Sequence, residues 1–158
     1  MRSIGILFLF FLVLGCSAQT QPNDPAVSKI VNAQVTAILD AIKAKDQSTL
    51  KGLFIMDPIS LQSIGEFIEN MQGVQITVKT AYIEPRDGST DSTLVMADKI
   101  PGFLSLKKNS ESKTGWQVSG MWFNKNTGDQ SDNPPAWVCG YAIFKCILAI
   151  LEDWKIGA

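Results

Sequence analysis

Side chains able to do acid–base or nucleophilic chemistry are few in this sequence, because its 158 residues include no histidine. That absence excludes serine–histidine and cysteine–histidine nucleophile pairs, histidine-ligated zinc and the usual general base near neutral pH. Catalysis would have to rest on a carboxylate, a lysine, a tyrosine or a cysteine. We therefore expect a protein that is not an enzyme, with no metal site and no cofactor.

Asp98 is the carboxylate best placed for catalysis, since it is in phase with Leu94, Met96 and Ile100 on an apolar strand face. Burial there would make it a general base for an isomerase or hydratase, with the Tyr82 hydroxyl donating a hydrogen bond to the ligand. Two other interpretations stay open. Asp98 could end a strand and be solvated, and Tyr82 could belong to the core with its hydroxyl at the rim. The enzyme is therefore the alternative hypothesis.

The N-terminus reads as a targeting signal. "MRSIGILFLFFLVLGCSAQ" has a charged start, an apolar run and then small residues, so residues 1–18 are predicted to be a signal peptide cleaved after Ala18. In the alternative, Gly15-Cys16 is a lipoprotein box and a lipidated Cys16 anchors the protein at a bacterial surface. Either way we expect the mature chain to be extracellular.

The net charge limits the possible partners, and the length limits the number of domains. The net charge of −1 offers no basic field for phosphates, so we expect no nucleic-acid partner. Without its leader the chain is long enough for a single domain with one core.

The first half of the domain has helical periodicity. After a polar leader at 19–24, Asp24-Pro25 predicts an N-cap and the first helical position. A break at Lys45-Asp46 separates this helix from a short second one, and a third is predicted from Ser60 to a left-handed C-cap at Gly73. The first helix has one apolar stripe: Val27, Ile30, Val31, Val35, Ile38, Leu39 and Ile42.

From residue 74 the period changes to two, which is typical of strands. Strands are predicted at 74–83, 92–100, 103–109 and 115–123, with Pro101-Gly102 in a turn between the second and third. Helices followed by antiparallel strands indicate an α+β fold, with the sheet curling over the helices.

These elements carry a resemblance. "AIKAKDQSTLKGLF" at 41–54 and the pair "FLSLKKN…TGWQVSGMWF" resemble the opening helix and closing hairpin of the nuclear transport factor 2-like superfamily, which includes SnoaL-like proteins and ketosteroid isomerase. The resemblance implies that residues 25–123 form a cone, in which a curved four-stranded antiparallel sheet wraps the first helix and leaves a pocket. It also implies back-to-back dimers as a common assembly.

The resemblance gives the candidate binding site. Tyr82, Met96, Trp116 and Trp122 are expected to line the mouth of the cone and bind a small apolar ligand. Trp116, Val118 and Trp122 are expected on one strand face, with Met121 and Phe123 on the opposite, dimer-forming face. The leading hypothesis is a secreted, non-catalytic domain that binds a small apolar ligand or a protein partner.

The C-terminal part of the chain departs from that family. A polar linker at 124–135 precedes a hydrophobic segment at 136–158, in which 136–151 has Lys145 as its only charge. The apolar run spans about 24 Å as a helix, short of a ~30 Å bilayer core, so we expect a helix packed on the domain. Weak membrane association, a lid bent by a disulfide, or a tail foreign to the domain are the alternatives. Cys139 and Cys146 would lie about 10 Å apart on one helix, so a bond between them requires a bend.

Overall fold

The computed structural model of the chain describes residues 23–56, 58–123, 144, 147 and 148. Helices come first, strands follow, and the helices pack against one sheet, which confirms the predicted α+β class. Within the described residues the helices are α1 (Pro25–Lys43), α2 (Gln47–Leu53), α3 (Pro58–Gln62) and α4 (Ile64–Asn70). The strands are β1 (Ile76–Ile83), β2 (Thr90–Met96), β3 (Ile100–Lys108) and β4 (Trp116–Phe123).

The cap of α1 follows the sequence prediction, and α2 is also capped by an aspartate. The Asp24 carboxylate accepts hydrogen bonds from the amides of Ala26 and Val27, and Pro25 is the first helical residue. Asp46 caps α2 by accepting from the Thr49 amide at 3.0 Å and the Thr49 hydroxyl at 2.5 Å. Both bonds favour the ionised carboxylate, so they lower the pKa of Asp46.

The predicted third helix is corrected to two shorter helices. The backbone leaves helical geometry at Ser63, so α3 ends at Gln62 and α4 begins at Ile64. The helical period also placed Leu61 inward, but Leu61 is 42% exposed in α3, whereas Phe67 and Ile68 of α4 are buried as predicted. Gly73 has φ +75°, the left-handed conformation expected of a residue that ends this region.

The sheet has the order β1-β2-β3-β4, and all three pairings are antiparallel. One face of it, here called the inner face, packs against the helices. The opposite face is here called the outer face. The start of α1 is fixed to β1 near the end of that strand, where the Ala81 amide donates to Asn23 Oδ1 and the Asp24 amide donates to the Ala81 carbonyl, both at 2.9 Å.

The segment after α2 pairs with the edge of β4 through a single β-bridge. Phe54 forms an isolated parallel bridge with Val118, and the Ile55 amide donates to the Val118 carbonyl at 2.9 Å. This contact pairs the segment after α2 with the edge strand β4. It also satisfies part of an edge that would otherwise be open to pairing with another chain.

Candidate functional site

The structure does not bring the predicted ligand-binding residues together. Met96 is buried at one end of the inner face, and Trp116 packs partly buried against the core at the other end. Tyr82 and Trp122 lie on the outer face, where their register partners are Asp91 and Phe103. The expectation that these four side chains line one pocket is therefore corrected.

Two β-bulges explain why Tyr82 and Trp122 lie on the outer face. The register shifts between Val78 and Thr80 in β1, and between Ser105 and Leu106 opposite Ser119 in β4. Each bulge inserts one residue and exchanges the faces of all later side chains on that strand. As a result Ala81 replaces Thr80 and Tyr82 on the inner face.

In β4 the same effect reverses the predicted assignment of the last residues. Met121 and Phe123 are buried in the core, whereas Trp122 is half-buried on the outer face. Trp116 stays on the inner side, with the Lys108 ammonium 5.6 Å from the centroid of its ring. There is thus no shared surface beneath Trp116 and Trp122.

Asp98 lies outside β2, which ends at Met96. It is exposed in the Ala97–Lys99 turn, with φ +58°, so it is not on the apolar strand face that the sequence indicated. Pro101 and Gly102, predicted as the turn, are instead part of β3. The reason is that Gly102 pairs with Phe123, whose ring occupies the place of a Cβ: a Cβ there would lie 2.3 Å from a Phe123 ring carbon.

Asp98 and Tyr82 are also far apart. Tyr82 pairs with Asp91, whereas Asp98 follows Met96, a separation of about 17 Å along β2 at ~3.3 Å per residue. A general base and a hydroxyl donor at that separation cannot act on one small substrate. The site proposed for an isomerase or hydratase is therefore not formed by this pair.

The outer face carries the most distinctive arrangement of side chains on the sheet surface. One row runs across all four strands, because Thr80 pairs with Thr93, Thr93 with Phe103, and Phe103 with Trp122. The two threonine hydroxyls are 2.7 Å apart, and the two aromatic rings stack with centroids 6.0 Å apart at 21°. The row thus grades from hydroxyls on β1 and β2 to aromatic rings on β3 and β4.

The neighbouring row is more polar and joins Tyr82, Asp91, Ser105 and Gly120. Partial burial is the main cause that raises the pKa of Asp91, and the charges of Glu84 and Asp87 add to it, while a hydrogen bond with Ser105 opposes it. Burial and the charge of Asp91 likewise raise the pKa of Tyr82, so its hydroxyl stays protonated. This row presents hydroxyl groups and one carboxylate beside the aromatic pair.

On the opposite side of the sheet, three phenylalanine rings form a cluster that was not predicted from the sequence. Phe54 and Phe67 lie edge to face with centroids 6.3 Å apart. Phe144 stacks on Phe67 at 4.0 Å and 9°, and meets Phe54 edge-on at 4.9 Å. Phe144, Ile147 and Leu148 are all helical and buried. Their spacing of three and four residues was the sequence signal that could have identified this contact.

A shallow groove of about 510 Å³ lies on the surface between α1, the start of α2 and Lys113. Its floor consists of small residues on one side of α1, among them Ala33, Ala37 and Ala41. Asp40 and Asp46 lie at its edges. Its lining therefore combines small apolar side chains with hydroxyl and charged groups.

Several predictions fall on residues outside the described part of the chain. These are the leader at 1–18, lipidation at Cys16, the linker at 124–135, and the pair Cys139 and Cys146. Within the described residues, no helix has both the length and the hydropathy to span a membrane. The same residues contain no cluster of three or more metal-ligating side chains.

Comparisons with known proteins gave no relative from which a function could be transferred. No protein-family model, no curated protein and no solved structure matched the chain. The geometry of the outer face and of the phenylalanine cluster is therefore the basis for the proposals that follow.

Proposed function

We propose that this chain is a secreted, non-catalytic binding domain of the nuclear transport factor 2-like type, and that it binds a protein partner through the outer face of its sheet. The observation that carries the proposal is the stacked pair Phe103 and Trp122, which remains partly exposed on that face. Aromatic rings are enriched at the centres of protein interfaces, where they bury much area at low cost in side-chain entropy.

The surroundings of the pair fit an interface. None of the described helices packs on the outer face, since α1 lies against β1 and β2 on the inner face and α2 lies beside β4. Hydroxyl groups of Thr80, Tyr82 and Ser105 provide hydrogen-bonding partners around the rings. An apolar centre with a polar surround is the general composition of protein–protein contacts.

A second copy of this chain is the partner that the geometry fits best. Four strands of about eight residues give a face of the order of 500 Å² in plan, the scale of the ~800 Å² of accessible surface that each partner buries in a standard interface. Two such faces related by a two-fold axis would stack aromatic pairs against each other. Dimerisation through the sheet is also what the superfamily resemblance implies.

The test is the oligomeric state of the purified domain. We expect sedimentation equilibrium between 1 and 100 µM to show a dimer for the parent chain and a monomer for the double variant Phe103→Ser/Trp122→Ser. Ile83→Ser is the matched control, because Ile83 is a 46% exposed apolar residue of the same sheet whose register partner, Thr90, is buried on the inner face. A parent chain that is monomeric at 100 µM, or a control that dissociates equally, would contradict the proposal.

Secretion is proposed from the leader and is testable separately. The mass of the mature chain distinguishes the two processing routes, since cleavage after Ala18 gives a chain that begins at Gln19. Lipidation would instead give a diacylated or triacylated Cys16, and Cys16→Ala would abolish the added mass. An intact leader on the exported protein would contradict both routes.

A further inference from the structure

Within the phenylalanine cluster, Phe54 and Phe67 form the two walls of a slot, and the ring of Phe144 is its occupant. Phe67 offers a ring face at 4.0 Å and Phe54 an approximately perpendicular ring at 4.9 Å, and both contact Phe144. A stacked wall beside an edge-on wall is a favourable environment for one planar aromatic group. The two walls also contact each other, at 6.3 Å, so they form one surface even without the third ring.

The slot is held in place by elements other than its occupant. Gln34 of α1 donates through Nε2 to the Leu53 carbonyl at 3.1 Å, immediately before Phe54. On the other side of Phe54, the Ile55 amide donates to the Val118 carbonyl of β4. The backbone on both sides of Phe54 is therefore held by α1 and by the sheet.

The occupant has the pattern of a helical docking motif. Phe144, Ile147 and Leu148 are spaced by three and four residues, have helical backbone, and are 0%, 0% and 5% exposed. This is the anchor spacing by which amphipathic helices bind apolar grooves. In the sequence, the polar stretch 124–135, which ends in Pro134-Pro135, separates β4 from this motif. Its composition is that of a linker between a domain and a tethered ligand.

The chain segment that leads from Phe54 to α4 carries exposed apolar side chains. Ile55 is 48% exposed and Leu61 is 42% exposed, and both lie in the chain that connects Phe54 with α4. Large exposed apolar side chains in one short segment mark an interaction surface more often than scattered ones do. A longer or differently placed peptide could bury them.

We propose that the slot formed by Phe54 and Phe67 is a docking site for a short helical peptide with the spacing Phe-x-x-Ile-Leu. The chain's own Phe144, Ile147 and Leu148 occupy this site in cis, and Ile55 and Leu61 form its rim. The tether raises the effective concentration of the internal peptide to about the millimolar range, so an external peptide binds well only when the internal one is disabled.

The experiment measures peptide binding in trans. A fluorescein-labelled peptide of residues 136–151, with two added C-terminal lysines for solubility, is titrated with the full chain in fluorescence anisotropy. We expect binding to the variant Phe144→Ser/Ile147→Ser/Leu148→Ser to be at least tenfold tighter than binding to the parent chain. Adding Leu61→Ser to that variant should weaken binding severalfold, and adding Ile83→Ser should leave it unchanged.

Two controls make the result specific. The same peptide with Phe144→Ala, and a peptide of scrambled order, should both bind the triple variant at least tenfold more weakly. Equal binding to the parent and the triple variant would place the peptide elsewhere and overturn the proposal. The absence of binding to a folded triple variant would also overturn it, since the segment would then be an inseparable part of the core.

A second measurement covers the case in which the triple variant does not fold. A site-specific protease sequence is inserted in the 124–135 linker of the otherwise unchanged full chain, and the cleaved product is diluted on a sizing column. We expect the C-terminal fragment to dissociate while the remaining domain retains a cooperative thermal transition. Loss of that transition on release, or fragments that separate only in denaturant, would overturn the proposal.

Discussion

The two faces of the sheet hold aromatic rings in different surroundings. On the inner side Phe67 is fully buried, stacks on Phe144 and contacts Phe54 edge-on, so it has ring partners on more than one side. On the outer face Phe103 and Trp122 stack on each other and stay partly exposed. The same residue types are therefore found in two environments: the inner rings are enclosed by other rings, and the outer rings remain open to solvent.

The bulges at Lys79 and Ser119 determine which aromatic side chains lie in the core and which lie on the outer face. Without the bulge in β4, Trp122 would fall on the inner face, and Met121 and Phe123 would be exposed. Without the bulge in β1, Tyr82 would be inside and Ala81 outside. The position of two extra residues therefore assigns the aromatic side chains to core or surface.

Removing a ring should have its largest effect on the inner side. We expect Phe67→Ala to lower the free energy of unfolding by about 3–5 kcal/mol, because it leaves a cavity beside Phe54 and Phe144. Phe103→Ala is the matched change on the outer face, and it should cost much less, about 1 kcal/mol, since its ring is only partly removed from water. Urea denaturation followed by fluorescence measures both. Equal losses would show that the two faces do not differ in packing.

Adding a methyl group should also change stability differently on the two faces, with a smaller effect than removing a ring. Gly102 lies on the inner face, where a Cβ would be 2.3 Å from a Phe123 ring carbon, so Gly102→Ala should cost about 1–3 kcal/mol through overpacking. Gly120 lies on the outer face, and its nearest neighbour to a new Cβ is 3.9 Å away. Gly120→Ala should therefore be neutral or slightly stabilising by thermal melting. A neutral Gly102→Ala would contradict the tight contact with Phe123.

Much of the fold followed from the sequence, because it depends on signals that are local in the chain. Asp24 followed by Pro25 is a helix-start signal that needs no distant residue, and the change of period at residue 74 marks the change from helices to strands. The order of helices and strands, and the antiparallel sheet, needed nothing further. These predictions are confirmed by the structure, except that the third helix is divided into α3 and α4.

The candidate sites could not be predicted in the same way, since they depend on contacts between distant segments. Lys79 and Ser119 are not glycines, so nothing at either position announces a bulge. Gly102 suggested a turn, but its lack of a side chain instead allows Phe123 of the next strand to pack against it. The docking of Phe144 on Phe67 is likewise a tertiary contact, of which the sequence shows only the helical spacing of one partner.

The charge on the outer face gives a test with a predicted sign. The pKa of Asp91 is raised, so the fold favours its protonated form: the parent's stability is fully present below pH ~3.9 and declines as the pH rises through the folded-state pKa. Asp91→Asn should therefore unfold at higher urea concentration than the parent at pH 7, and the difference should vanish below about pH 4. The gain should be smaller than either loss above, because solvent screens this partly exposed group.

Asp87→Asn is the control for that prediction and should have the opposite sign. The Ser89 hydroxyl and amide hydrogen-bond the Asp87 carboxylate at 2.6 and 3.0 Å, which lowers the pKa of Asp87. Its contribution is present above the unfolded-state pKa and is lost as the pH falls through the folded-state value. The variant should thus be less stable than the parent at pH 7. Two variants with the same sign would show that burial does not govern Asp91.

The smallest expected effect concerns the turn that joins the second and third strands. Asp98 has φ +58° there, a conformation that costs a residue with a side chain more than it costs glycine. Asp98→Gly should therefore raise the free energy of unfolding by a few tenths of a kcal/mol, and Lys99→Gly, which only adds freedom to the unfolded chain, should lower it. Calorimetry on the two variants checks the difference. A marked loss of stability in Asp98→Gly would contradict this prediction. It would mean that the exposed Asp98 carboxylate makes contacts for which the strain of the turn is retained. The turn would then be a candidate binding surface in addition to the outer face.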